Sequence, residues 1–206
     1  MPQSRRYKKK KSAGKAILAW IIVLAILAAA VFVFVSVFYE DAKKKLDEMN
    51  YPRTYSTYVE KAAKDYDLDP ALIYAVIHTE SGFDPKAESG VGAKGVMQMM
   101  PSSFEWLQEQ RGCAGQYTED DLFDPEICID YGSYLLKYFY DYYGTERSAI
   151  AAYNAGFVVS DWLNDTNYSS DGKNLDSIPY PETKNYVDKV EGAKEMYIKL
   201  YYSQSN

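Results

Sequence analysis

The chain is 206 residues long, enough for one well-filled domain with an accessory segment and short for two. Its formal charge of −6 is unevenly spread: Arg5, Arg6, Lys8, Lys9, Lys10, Lys11 and Lys15 are the only charged residues before position 40, so the +7 of that stretch leaves −13 on the rest. An acidic body excludes non-specific nucleic-acid binding, which needs clustered Lys and Arg, and a single histidine, His78, with no C-x-x-C pair speaks against a metal site.

Residues 1–15 form a basic tail. From Ala16 to Phe38 no residue is charged, and the 23 residues are nearly all Ala, Ile, Leu, Val, Phe or Trp. At 1.5 Å per residue that run crosses a hydrocarbon core of about 30 Å. A cleaved signal peptide is the competing reading, with Ala28-Ala29-Ala30 as the cutting point, but the apolar run continues past it through Val35. Residues 16–39 are therefore predicted to be a single membrane anchor. The positive charges before it and Glu40-Asp41 after it place the N-terminus in the cytoplasm and residues 40–206 outside.

Residues 40–54 read as a charged helical stalk or linker, and residues 55–203 as a compact all-α domain, with which a minimal β element is compatible. Val59, Ala62, Ala63 and Tyr66 share a helical face. Asp69-Pro70 supplies an N-cap and a first-turn proline to a helix carrying Leu72, Ile73, Val76 and Ile77. Ser102 with Glu105 predicts a capping box. Asp124-Pro125 repeats the start signal, and Ile127, Tyr131, Tyr134, Leu135 and Tyr138 follow until Gly144. A helix from about Glu146 to Ala155 ends at Gly156. Residues 164–178 read as a loop, and after Tyr180-Pro181 a last helix carries Tyr186, Val187, Val190, Met196, Tyr197 and Leu200.

Gly90-Val91-Gly92-Ala93-Lys94-Gly95 fits the dinucleotide fingerprint by letter, but a helix rather than a strand precedes it, so the glycines predict a loop with close backbone approach. Glu80 follows Ile73, Val76 and Ile77 by seven, four and three positions, on the apolar side at the end of its helix. A carboxyl against an apolar wall has its pKa raised, as a general acid requires; a boundary glutamate turned to solvent is the bland alternative. Two cysteines in an exported body, Cys113 and Cys128, are candidates for a disulfide, against two free thiols. His78 lies on a different face from Glu80, and Tyr131, Tyr134 and Tyr138 have the spacing of packing residues.

The run from Ala71 to Pro85, containing His78-Thr79-Glu80-Ser81-Gly82, resembles the catalytic helix of soluble lytic transglycosylase domains. Ser89 to Pro101 is similar to that family's second motif, Ala152-Tyr153-Asn154-Ala155-Gly156 to its third, and Pro179 to Val187 to its fourth, all in the family's order. The resemblance implies a lysozyme-like fold and cleavage of the β-1,4 bond between N-acetylmuramic acid and N-acetylglucosamine in peptidoglycan. It implies Glu80 as the acid/base, Ser89, Met97 and Gln98 along the sugar site, Tyr153 and Asn154 shaping the cleft, and Tyr186 hydrogen-bonding near the acid. Product ends would be 1,6-anhydro sugars, formed with one carboxylate and no metal or organic cofactor. Asp84 and Glu88 fall in the family's surface loop, away from the chemistry. Phe157-Val158-Val159 replaces a Pro-Gly turn common in relatives, and Cys128 stands where asparagine is common, which favours its pairing with Cys113. A hydrolytic lysozyme resembling the goose type and a non-catalytic glycan-binding module are the rival readings.

Overall fold

A computed structural model describes the backbone of residues 4–203 and side chains from residue 14 onward; the charged side chains Arg5 to Lys11 of the expected basic tail lie outside the described ones. The chain divides between Asn50 and Tyr51 into two compact units. The first is a single helix, α1 (Ser4–Asn50). Its stretch from Gly14 is long and apolar enough to cross a membrane, with a mean hydropathy of 3.2 over its most apolar window and none of that window buried. The expected stalk is part of this helix up to Asn50, where Lys45–Asp41 and Lys44–Glu48 pairs at i,i+4 spacing favour its continuation.

The second unit starts at Tyr51, four residues before the boundary read from the sequence. It contains α2 (Ser56–Tyr66), α3 (Pro70–Ser81), α4 (Pro101–Gln110), a 3₁₀ turn at Glu119–Phe123, α5 (Pro125–Tyr143), α6 (Glu146–Ala155), a second 3₁₀ turn at Gly156–Val158, α7 (Val159–Asn164) and α8 (Pro181–Tyr197), which runs into a π turn at Ile198–Tyr202. Among the described residues there is no named strand, only two isolated bridges, Glu88 with Lys94 and Lys94 with Met99, in the loop after α3.

The Asp-Pro signals act as the sequence predicts. Asp69 accepts from the Ala71 N–H at 2.9 Å and Asp124 from the Glu126 N–H at 2.9 Å, each ahead of a proline whose missing N–H costs nothing at N1. Helix α3 is the centre of the domain: Ala71 through Ile77 are all buried, packed between α2 and α8, so every face of that stretch meets protein. Helix α5 sets one face on α2 and another on α6.

Two expectations fail locally. The Ser102/Glu105 capping box does not form, because Pro101 already occupies N1 and puts Ser102 inside α4, with Met100 as N-cap. Helix α7 appears where no helix is predicted; it buries Val159, Trp162 and Leu163 and begins directly from a 3₁₀ turn without a side-chain cap.

Candidate active site

Glu80 lies one residue from the end of α3, which Gly82 terminates in the left-handed region at φ 58°. The residue is half-buried, open at the end of the helix. Burial pushes its pKa up to about 7, against a smaller opposing effect from the Tyr186 hydroxyl of α8, which donates to Oε1 at 2.7 Å. No cation contacts Glu80 in an ion pair among the described residues. A carboxyl in this condition exchanges a proton readily near neutrality.

Three other segments converge on this point. The Ser81 hydroxyl donates to the Val96 carbonyl at 2.8 Å, which fastens the end of α3 to the loop of residues 84–100. The Tyr153 hydroxyl of α6 donates to the Met97 carbonyl at 2.9 Å, and the charge of Glu80 helps to raise the Tyr153 pKa above an already large effect of burial. The Thr183 hydroxyl, in the first turn of α8, donates to Asn154 Oδ1 at 2.8 Å and so ties α6 to α8. The four sequence motifs thus meet around one carboxyl, through bonds that span 15, 56, 29 and 106 residues of chain.

The loop between α3 and α4 folds on its own side chains. Ser89 Oγ accepts from the Ala93 N–H at 2.9 Å. Gln98, at φ 47°, donates its amide to the Ala87 and Gly95 carbonyls at 3.0 Å each. Both residues brace the loop. Gly95 accounts for the glycine-rich signature: a Cβ there would come within 2.0 Å of the Leu122 carbonyl oxygen. The expected loop with close backbone approach is present, and the approach is to protein.

Two expectations need correction. Met97 does not line an open site with its side chain, which is fully buried; its sulfur fills the space over Gly132, where a Cβ would lie only 2.5 Å away. The Cys113–Cys128 bridge is absent, because the two sulfurs are engaged separately. Cys128 Sγ is buried, accepts from the Met97 N–H at 3.4 Å, and has its thiol pKa pushed up to about 12 by burial. Cys113 Sγ meets the Tyr131 hydroxyl at 3.3 Å.

Asp84 and Glu88 are exposed, and Asp84 is occupied in capping a turn at the Lys86 N–H. Neither reaches Glu80 by a hydrogen bond. His78 stacks on Tyr51 at 4.8 Å, on another face of α3. The described residues contain no group of three or more His, Cys, Asp and Glu placed to hold a metal ion. Sequence reasoning gave no role to Ser81, Thr183 or Gly132, although Ser81 and Thr183 sit inside the quoted motifs beside residues that were singled out.

Residues 57–175 match the family described as the transglycosylase SLT domain. The soluble lytic murein transglycosylase of Escherichia coli K12 is 32% identical over 146 residues, covering 69% of this chain and 23% of that protein. The membrane-bound lytic murein transglycosylase C of Actinobacillus succinogenes is 30% identical over 167 residues, 70% of this chain and 47% of that one. Among solved structures, the lytic transglycosylase Slt of Pseudomonas aeruginosa, determined as an inactive mutant, superposes with a TM-score of 0.65 at 30% identity, covering 74% of this chain and 25% of that one. The 70 kDa soluble lytic transglycosylase of Escherichia coli gives 0.67 at 28% identity, with coverages of 77% and 26%. The chain therefore spans about a quarter of the length of the soluble relatives.

Proposed function

The chain belongs to the transglycosylase SLT domain family, and from that membership we propose that it cleaves the glycan strands of peptidoglycan between N-acetylmuramic acid and N-acetylglucosamine, leaving 1,6-anhydro ends. The observation that carries this reading is the Glu80 carboxyl, desolvated, held by one tyrosine hydroxyl and raised to a pKa of about 7.

Protonated Glu80 gives its proton to the bridging oxygen as the glycosidic bond breaks, and the N-acetyl carbonyl of the muramic acid stabilises the cation that develops. The resulting Glu80 carboxylate accepts the proton of the same sugar's 6-hydroxyl as that oxygen closes on C1. One carboxyl thus serves as acid and then base, returning to its starting state, whereas most glycosidases use two. Tyr186 donates to the carboxylate form and holds its direction for the second step. Ser89 and Gln98 keep the loop beside the sugar in shape through their backbone bonds, and Tyr153 and Asn154 fix the α6 wall.

In the same proposal α1 crosses the cell membrane once with its N-terminus in the cytoplasm, which puts the domain beside the wall. Support comes from its apolar length and from the membrane-bound relatives. Mass spectrometry of fragments released from purified peptidoglycan tests the reaction: anhydro ends are expected, and reducing muramic acid ends would assign a hydrolytic lysozyme instead. Protease added to wall-stripped cells should remove residues 40–206 and spare the basic tail; protection of the domain would reverse the orientation.

A further inference from the structure

The aromatic residues at the C-terminal end of α5 are more numerous, and more exposed, than the core requires. Tyr142 is 58% exposed and Phe157 48% exposed. The rings of Tyr138 and Tyr142 lie nearly parallel, at 14° and 6.3 Å between centroids. Trp106 of α4 meets Tyr138 edge-on at 4.9 Å, and Phe157 contacts both Tyr138 and Tyr142. The hydroxyls of Tyr138 and Tyr142 have no hydrogen-bond partner among the described residues. A 340 Å³ groove runs along Tyr134, Tyr138 and Tyr142, edged by the Lys137–Asp141 ion pair at 2.7 Å.

We propose that this aromatic face is an accessory glycan-binding platform, holding pyranose rings of the same strand beyond the portion bound at Glu80. The inference rests on the peptidoglycan reading of the site. Its chemistry is that of sugar recognition. The C–H face of a β-linked pyranose is apolar and lies flat on a π face of negative quadrupole, while its equatorial hydroxyls and amides reach polar groups at the ring edges. Free phenol hydroxyls and an ion pair at the rim provide those groups; a face for an apolar protein segment would have aliphatic side chains between the rings.

The platform adjoins two of the site's motifs in the chain. Trp106 lies five residues into α4, the helix that Pro101 of the second motif begins, about 8 Å along its axis at 1.5 Å per residue. Phe157 directly follows Gly156, the last residue of the third motif. The same two motifs are joined at the other end by the Tyr153 bond to Met97, and Trp106 and Phe157 are 6.5 Å apart. In the proposal, a strand leaving the Glu80 site follows these motifs to the rings.

The test uses the full-length protein in detergent micelles. Glu80→Gln serves as the non-cleaving parent, and binding to purified polymeric peptidoglycan is measured by co-sedimentation. Adding Tyr142→Ala and Phe157→Ala together should weaken binding by about 5-fold or more, the loss of one or two good ring contacts, and Tyr142→Trp should restore it. In the catalytically intact chain the same pair should slow release from the polymer yet leave turnover of a soluble tetrasaccharide within about two-fold, since a short substrate does not extend to the platform. Unchanged polymer binding by the double variant, or equal losses on polymer and tetrasaccharide, overturns the platform and leaves the face to a protein partner. In that case a wild-type chain that still releases anhydro fragments keeps the peptidoglycan reading; a wild-type chain that neither binds nor cleaves the polymer removes both.

Discussion

Among the carboxylates that accept a hydrogen bond from a tyrosine hydroxyl, Asp130 and Glu80 make a contrast: one also has an arginine, the other is desolvated without a cation. Asp130 of α5 takes Tyr66 on one oxygen and the Arg111 guanidinium on the other, Nη1 at 2.6 Å. Arg111 itself lies 4.4 Å from the centre of the Tyr131 ring and 4.9 Å from that of Tyr134, beside a 690 Å³ pocket between α2 and α5. Glu80 has its tyrosine, Tyr186, and no cation. The charge of Asp130 is matched, so the group holds helices together. The charge of Glu80 is unmatched and desolvated, so the proton stays on until about pH 7. Desolvation without a cation is what suits Glu80 to moving protons, whereas Asp130 is held in an ion pair with Arg111.

The largest expected effect comes from removing the proton itself. Glu80→Gln keeps the shape and the Tyr186 contact but should lower turnover by about 10²–10⁴-fold. Fragment release within a few-fold of wild type would break the comparison at its centre.

The same substitution should stabilise the domain at alkaline pH. Glu80 has a folded pKa of about 7 against an ordinary 4.5. Between those values the native state binds the extra proton, so stability falls as pH rises through that window and stays reduced above it. Glu80→Gln does not titrate. Its melting temperature should match wild type near pH 4.5 and exceed it at pH 8, by an amount corresponding to about 1–3 kcal/mol. A constant difference across that range would mean that the carboxyl is solvated.

Arg111→Met examines the other carboxylate. It strips Asp130 of its cation while preserving most of the stem that packs on Tyr131 and Tyr134. Because both partners are partly exposed, at 25% and 32%, the loss should be about 1–3 kcal/mol in denaturant titration, with turnover at saturating substrate unchanged. Catalytic loss without destabilisation would give the Arg111 pocket a role in the reaction.

The smallest effect is Tyr186→Phe. It removes the hydroxyl that opposes the rise in the Glu80 pKa, so the alkaline limb of kcat/KM should move to higher pH, with turnover reduced a few-fold. Movement of that limb to lower pH would show that the hydroxyl mainly shields the carboxyl from water.

How far the sequence carried depended on whether a feature is local. Asp69-Pro70 and Asp124-Pro125 set helix starts through bonds two residues long, and both were legible. The placement of Glu80 against apolar residues followed from its spacing to Ile73, Val76 and Ile77, although the structure buries α3 on all sides and gives Glu80 its access through its position at the helix end. Met97 was misread because the direction of a loop side chain depends on Gly132 of α5, 35 residues away, leaving room for its sulfur. The cysteine pair failed for a related reason: sequence separation allows a loop to close but does not say which way Cys128 points, and it points to the Met97 N–H. Helix α7 left no trace because it inherits its first turn from a 3₁₀ segment and needs no capping residue.

The C-terminal turn bears on how the domain is held. After α8, the Tyr201 hydroxyl donates to the Tyr51 carbonyl at 2.8 Å and the Tyr197 hydroxyl to the Pro52 carbonyl at 3.1 Å, while Arg53 lies over the Tyr74, Tyr201 and Tyr202 rings. The chain leaves α1 at Asn50, so any pull along that helix enters the domain at Tyr51 and loads these bonds before it reaches α2. These bonds join residues 51–53 to the end of α8, the helix that carries Tyr186, and Arg53 also pairs with Glu60 of α2 at 2.6 Å. A fragment cut at Tyr55 would lose the bonds that Tyr51 and Pro52 accept from Tyr201 and Tyr197.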